Sequence, residues 1–217
     1  MKKKSLLCII LFMLSIIFTL LVVNFDVRNV GVNETNIGFA GLNTFIFNKL
    51  GTSNVWYNIT EVLGYIALIL VFIYGLYGAY DLIKKRSIFK VNKHIIILGV
   101  FYIIVFGLYI LFENIIINYR PILVDGALEA SYPSSHTLLS ICVFGSSILI
   151  NKKLFANKKI NKVNIILMLM MILTVIGRLL SGMHWFTDII GGVLISSFLL
   201  ASFNLCITCI KNYKKVK

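Results

Sequence analysis

Two arginines, two histidines and an aspartate stand where the apolar runs of this chain break off: Arg120, His136, Arg178, His184 and Asp188. Arginine offers a planar, permanently charged fork that matches the oxygens of a phosphate. Histidine can carry a proton or act as a nucleophile near neutral pH. Ser134 and Ser135 directly precede His136 at the head of an apolar run, and the first amides of a helix starting there would suit an anion. A phosphomonoester carries nearly two negative charges, and its transfer needs charge neutralisation and alignment. These residue types could meet both needs without a metal, and no acidic cluster of the kind that holds Mg²⁺ is visible.

The elements that must position them are membrane helices. Of 217 residues 59% are hydrophobic and 13% charged, where a soluble domain would carry about a quarter charged. Six apolar segments, 5–23, 62–80, 95–117, 134–150, 163–177 and 189–210, approach the length of about 20 residues that crosses a bilayer. The fourth and fifth are short, which would sink a site at their ends slightly below the interface. With the N-terminus inside, the inner segments hold Lys2, Lys3 and Lys4; Lys84, Lys85, Arg86, Lys90 and Lys93; Lys152, Lys153, Lys158, Lys159 and Lys162; and Lys211, Lys214, Lys215 and Lys217. The outer side keeps Arg28, Lys49, Arg120 and Arg178, an asymmetry that sets orientation. The expectation is an all-α polytopic helix bundle, one domain over 1–217, with six transmembrane helices and both termini cytoplasmic. The net charge of +13 then reflects topology and anionic lipid rather than nucleic acid.

Other features read blandly. The first apolar run is too long for a typical signal peptide and is expected to stay as a helix. Cys206 and Cys209 form a C-x-x-C without a second pair or a nearby histidine, and with Cys8 and Cys142 read as small apolar helix residues. His94 falls on the inner side and serves as the control for the other two histidines. Residues 24–61 read as a long outer connection, either a lid or an interfacial segment. Asp125 and Glu129 read as solvated loop residues or as partners that position Arg120. Any one of the five ionisable residues alone fits an interfacial anchor equally well; five at one level do so much less well, because ionisable groups at membrane depth are costly and usually functional.

The order of the residues carries a resemblance. Arg120-Pro121 follows the third segment, Pro133-Ser134-Ser135-His136 opens the fourth, and Gly177-Arg178, His184 and Asp188 join the fifth and sixth as R-x5-H-x3-D. This is similar to the three motifs of the type 2 phosphatidic acid phosphatase family, Lys-x6-Arg-Pro, Pro-Ser-Gly-His and Ser-Arg-x5-His-x3-Asp, a family that shares its site with vanadium haloperoxidases. The resemblance covers roughly 113–192. Three positions depart from it: Ser135 stands for the motif glycine, Gly177 for the motif serine and Glu113 for the motif lysine.

The resemblance implies that His184 is the nucleophile, that Asp188 fixes its tautomer, and that His136 protonates the leaving oxygen and then activates water. Arg120, Arg178, Ser134 and Ser135 would bind the phosphate, with Glu113 a candidate modulator that faces the pocket, pairs with Arg120 or lies among headgroups. If His184 and Asp188 both lie on the first turn of the last helix they share a face, and Ser181-Gly182 supplies a break that could turn Arg178 and His184 inward. The implied function is a metal-independent plasma-membrane phosphatase without cofactors, acting at the extracellular side on undecaprenyl diphosphate, phosphatidic acid or phosphatidylglycerol phosphate. The alternatives are a weak or inactive relative that binds lipid phosphate, suggested by the lost lysine, and a small transporter, which would predict an inverted repeat or discontinuous helices; neither is visible.

Overall fold

The computed structural model describes residues 2–154 and 159–213. Among them run seven α-helices: α1 Lys2–Asn24, α2 Ala40–Leu50, α3 Asn54–Lys85, α4 Lys93–Asn114, α5 Ser135–Leu154, α6 Lys159–Leu180 and α7 Phe186–Tyr213. Five of these, all but α2 and α5, are long and apolar enough to cross a membrane. Between 17% and 28% of each crossing window is buried within the protein, so many of the leucines, isoleucines and phenylalanines of α1, α3, α4 and α6 point outward. Water would not tolerate such faces, but acyl chains cover them without cost. The chain is a multi-pass membrane protein. Of the basic clusters, Lys158, Lys214, Lys215 and Lys217 lie outside the described residues, as do the side chains of Lys152 and Lys211.

The fourth segment is short and polar because it faces protein. Thr137, Ser140, Ser146 and Ser147 of α5 are buried. Three of their hydroxyls bond back to their own helix, Ser140 to the Thr137 carbonyl at 3.2 Å, and Ser146 and Ser147 to that of Val143 at 3.1 and 2.7 Å. Small residues satisfied this way let neighbouring helices approach. At Gly145 a Cβ would come within 2.5 Å of Leu200 on α7. Leu138 and Cys142 of α5 pack with Leu98, Phe101 and Val105 of α4 and with Ile195, Leu199 and Phe203 of α7. Lys4 donates to Thr208 at 2.9 Å, so α1 starts beside the end of α7. Near its other end Thr19 meets the Tyr132 hydroxyl at 2.7 Å.

Three sequence expectations change. The fifth segment is a full helix of 22 residues, because it begins at Lys159, ahead of its apolar stretch, and runs on to Leu180, so shortness there does not sink the site. The connection 24–61 is not a loop throughout. It holds an antiparallel pair of two-residue strands, β1 Arg28–Asn29 and β2 Asn36–Ile37, and α2, and its last turns already belong to α3. Ser53 caps α3, accepting from the Trp56 amide at 3.5 Å, a signal that apolar counting from Val62 passes over. The all-α description is thus amended by one small hairpin. Finally, α4 ends at Asn114, so Arg120 sits in a loop rather than at a helix end.

Candidate active site

The turn after α6 sets the site. Gly182 has φ +69°, and a Cβ there would lie 2.5 Å from the Gly51 carbonyl oxygen, so only glycine fits. The Ser53 amide donates to the Ser181 carbonyl at 3.2 Å, docking the start of α3 on the same turn. This break, expected at Ser181-Gly182, leaves His184 in the turn and Asp188 in the first turn of α7.

His184 is buried. Its Nδ1 lies 3.0 Å from the Ser131 carbonyl and 3.1 Å from the Ser131 hydroxyl. A ring nitrogen facing a carbonyl must carry the proton, so the lone pair resides on Nε2. That atom is buried and without a hydrogen-bond partner among the described residues. Burial first, then the charges of Arg178, Arg120 and His136, hold the imidazole pKa well below its ordinary value of 6.5. His184 is therefore neutral at physiological pH, as a nitrogen nucleophile must be.

Asp188 does not contact His184 directly as expected from their spacing: His184 Nδ1 is 3.9 Å from Asp188 Oδ2. His184 precedes the helix, so the pair does not share a helical face, and Ser131 fills the gap. The Ser131 hydroxyl donates to Asp188 Oδ2 at 2.5 Å, the Trp185 amide donates to the same oxygen at 2.9 Å, and Asn118 Nδ2 donates to Oδ1 at 3.2 Å. Ser131 and Asn118 were not singled out in the sequence, because neither belongs to a motif and both sit in irregular backbone.

Arg178 is 1% exposed. Its Nη1 donates to Glu61 Oε1 at 3.1 Å and to Thr60 Oγ1 at 3.2 Å, and its guanidinium lies 5.6 Å from the Tyr57 ring centroid. Its Nε is buried and has no hydrogen-bond partner among the described residues. The motif serine is glycine here for a packing reason: a Cβ on Gly177 would lie 2.7 Å from Thr60 Cγ2. His136 opens α5 with Nε2 3.2 Å from Glu61 Oε1, while its Nδ1 is buried and has no hydrogen-bond partner among the described residues. Arg120 pairs with Glu129 at 3.1 Å and reaches the Ala130 carbonyl from Nε at 3.4 Å, so of the two readings of Glu129 the positioning one holds. Glu113 has no ion pair to Arg120; it lines a small cavity with Ser131, Ser135 and His184. The Ser134 amide donates to the Asp188 backbone carbonyl at 3.0 Å, and its hydroxyl accepts from the Thr137 amide at 3.4 Å. Ser134 therefore ties α5 to α7, and Ser135 faces the cavities. His94 starts α4 at the other end of the bundle. Cys206 and Cys209 are free and exposed on α7.

A larger cavity of about 420 Å³ opens from Glu61, His136 and Ser135 and continues between α3, α4 and α5 along Leu68, Val105 and Phe106. A buried arginine, a second largely buried one, a neutral histidine with a free nitrogen and an apolar cavity at one end of a membrane bundle are an arrangement suited to phosphoryl chemistry. Residues 110–212 match the model of the PAP2 superfamily. The fold is similar to the crystal structure of a transmembrane PAP2-type phosphatidylglycerolphosphate phosphatase from Bacillus subtilis, with a TM-score of 0.61, 17% identity, and 94% of this chain and 97% of that chain covered. Comparison with curated proteins gave no match. The match over 110–212 and the likeness of fold support the type 2 phosphatidic acid phosphatase family, and with it a phosphatase, for this multi-pass membrane chain.

Proposed function

We propose that this protein removes phosphate from a lipid phosphate or diphosphate through a phosphohistidine on His184. One observation carries the reading. Three nitrogens, His184 Nε2, Arg178 Nε and His136 Nδ1, are buried without partners among the described residues; His136 lines the apolar cavity, His184 lines the small cavity next to it, and Ser135 lines both. Buried polar atoms left unpaired are costly, and a phosphate would satisfy all three while its chain lay in the cavity. Neutral His184 Nε2 attacks phosphorus as the bond to the lipid oxygen breaks and His136 gives that oxygen its proton from Nδ1. Water then attacks the phosphohistidine, His136 takes the water's proton, and inorganic phosphate leaves His184. Arg120 and Arg178 neutralise the oxygens that gain charge, so no step needs a metal.

The distribution of lysine and arginine supports six crossings with both termini cytoplasmic and the site at the extracellular face of the plasma membrane. Undecaprenyl diphosphate, phosphatidic acid and phosphatidylglycerol phosphate all present phosphate at that level. The description of the Bacillus protein supports including the last. The test is phosphate release by the purified protein in detergent from each lipid, with EDTA present and with a short soluble phosphomonoester as control. Release from a lipid that survives EDTA and is inhibited by vanadate is expected. Lipid binding without release would favour the inactive relative instead, a reading that Glu113 at the motif lysine keeps in view.

A further inference from the structure

Tyr57, Thr60, Glu61 and Gly64 recur at i, i+3, i+4 and i+7 on α3 and so occupy one face of that helix. All four serve two residues of the site. Tyr57 lies against the Arg178 guanidinium, Thr60 and Glu61 accept from its Nη1, and Gly64 makes room for the His136 ring, where a Cβ would come within 3.0 Å of Cδ2. Glu61 Oε1 is common to both, 3.1 Å from Arg178 Nη1 and 3.2 Å from His136 Nε2. This face lies outside residues 110–212, the part that matches the superfamily.

We propose that Glu61 is a positioning residue that holds His136 and Arg178 in register through one carboxylate oxygen. The geometry on each side argues for it. With Nε2–H directed at Glu61, the His136 ring turns its other nitrogen, Nδ1, to the buried position where it has no protein partner. A carboxylate behind an imidazole fixes which nitrogen is presented and stabilises the cation while the opposite nitrogen holds a proton. Glu61 likewise anchors Arg178 by Nη1 and leaves Nε, also unpartnered, for the substrate. A bare anion inside a phosphate site would otherwise oppose binding. Its two cationic partners offset that cost, and the carboxylate stands behind the atoms that meet the phosphate.

This inference rests on the phosphatase reading, with His136 as the general acid. Its test compares wild type with Glu61→Gln and Glu61→Asp, purified in the same detergent, on an alkyl lipid phosphate and on p-nitrophenyl phosphate. Thermal unfolding is followed alongside. Gln keeps an oxygen for Arg178 but removes the charge that supports the His136 cation. The expected result is a kcat on the alkyl substrate lowered about tenfold or more, a clearly smaller loss on the aryl substrate, whose leaving group needs no acid, and a KM changed little. Glu61→Asp, with the charge kept but withdrawn by one methylene, should fall between. Equal losses on both substrates at unchanged unfolding temperature would overturn the proposal. So would a lower KM with faster turnover in Glu61→Gln, which would make the carboxylate a stand-in for phosphate. A wild type that releases no phosphate from any substrate defeats the phosphatase reading and this inference together, whereas an active wild type matched by Glu61→Gln defeats this inference alone.

Discussion

Ser131→Ala separates the two ways in which Ser131 holds His184. The backbone carbonyl 3.0 Å from Nδ1 survives the substitution, so the tautomer with the lone pair on Nε2 is retained. What is lost is the hydroxyl, 2.5 Å from Asp188 Oδ2 and 3.1 Å from His184 Nδ1. That hydroxyl links the aspartate to the imidazole across 3.9 Å. A hydrogen bond to a charged group contributes about 1.5–3 kcal/mol, and Asp188 keeps two further donors, Trp185 N and Asn118 Nδ2. If the full value is felt only as His184 becomes cationic on bonding phosphorus, kcat falls about ten- to a hundredfold, since about 1.4 kcal/mol is a factor of ten. Phosphate release under saturating lipid phosphate in detergent measures it, with KM expected to hold. His184→Ala should be far more damaging and leave no measurable turnover. A Ser131→Ala enzyme within twofold of wild type would refute the relay and leave the carbonyl as the only orienting group. A Ser131→Ala enzyme as inactive as His184→Ala would refute the claim that the carbonyl suffices for the tautomer.

His136→Ala should slow hydrolysis of alkyl phosphates strongly, and aryl phosphates less, because a general acid matters most to a poor leaving group; parallel rate measurements on the two substrates check this. The pH dependence should show an acid limb for His184 well below its ordinary 6.5. Because the folded pKa is depressed, a falling pH protonates the unfolded chain first, so the stability contributed by neutral His184 is present above about 6.5 and lost as pH falls toward the folded value. Profiles of kcat/KM and of unfolding temperature between pH 4 and 8 (roughly, the span around the free imidazole value) test both. Glu113→Lys should lower KM several-fold, because Glu113 lines the cavity with His184 and is not Arg120's partner; a charge change at that range is worth about 1 kcal/mol, and an unchanged KM would place Glu113 outside the site.

The parts of this molecule legible in sequence are those where one residue type has one physical use. Apolar runs, lysine clusters and the Gly182 break led directly to helices and a turn, and the arginines and histidines pointed by type and order to the residues from which the candidate site is built. What sequence did not disclose is a residue whose role depends on a neighbour distant along the chain. Ser131 matters only because His184 and Asp188 leave a gap that its hydroxyl and carbonyl both enter. Asn118 matters because it joins the outer segment to the site, accepting from Gly38 at 3.3 Å and donating to Asp188 at 3.2 Å. Gly177 reads only as a departure from the motif serine until Thr60 is seen against it. Glu61 illustrates why the boundary of an element can hide function. Counting apolar residues starts this element at Val62, eight residues after the helix begins, and leaves the carboxylate in the outer connection. The cap at Ser53 starts the helix at Asn54 instead, and the same spacing rule that finds apolar faces then aligns Tyr57, Thr60, Glu61 and Gly64 on the face that meets Arg178 and His136. A capping residue thus decides whether a lone acid belongs to water or to the site, and in this protein it belongs to the site.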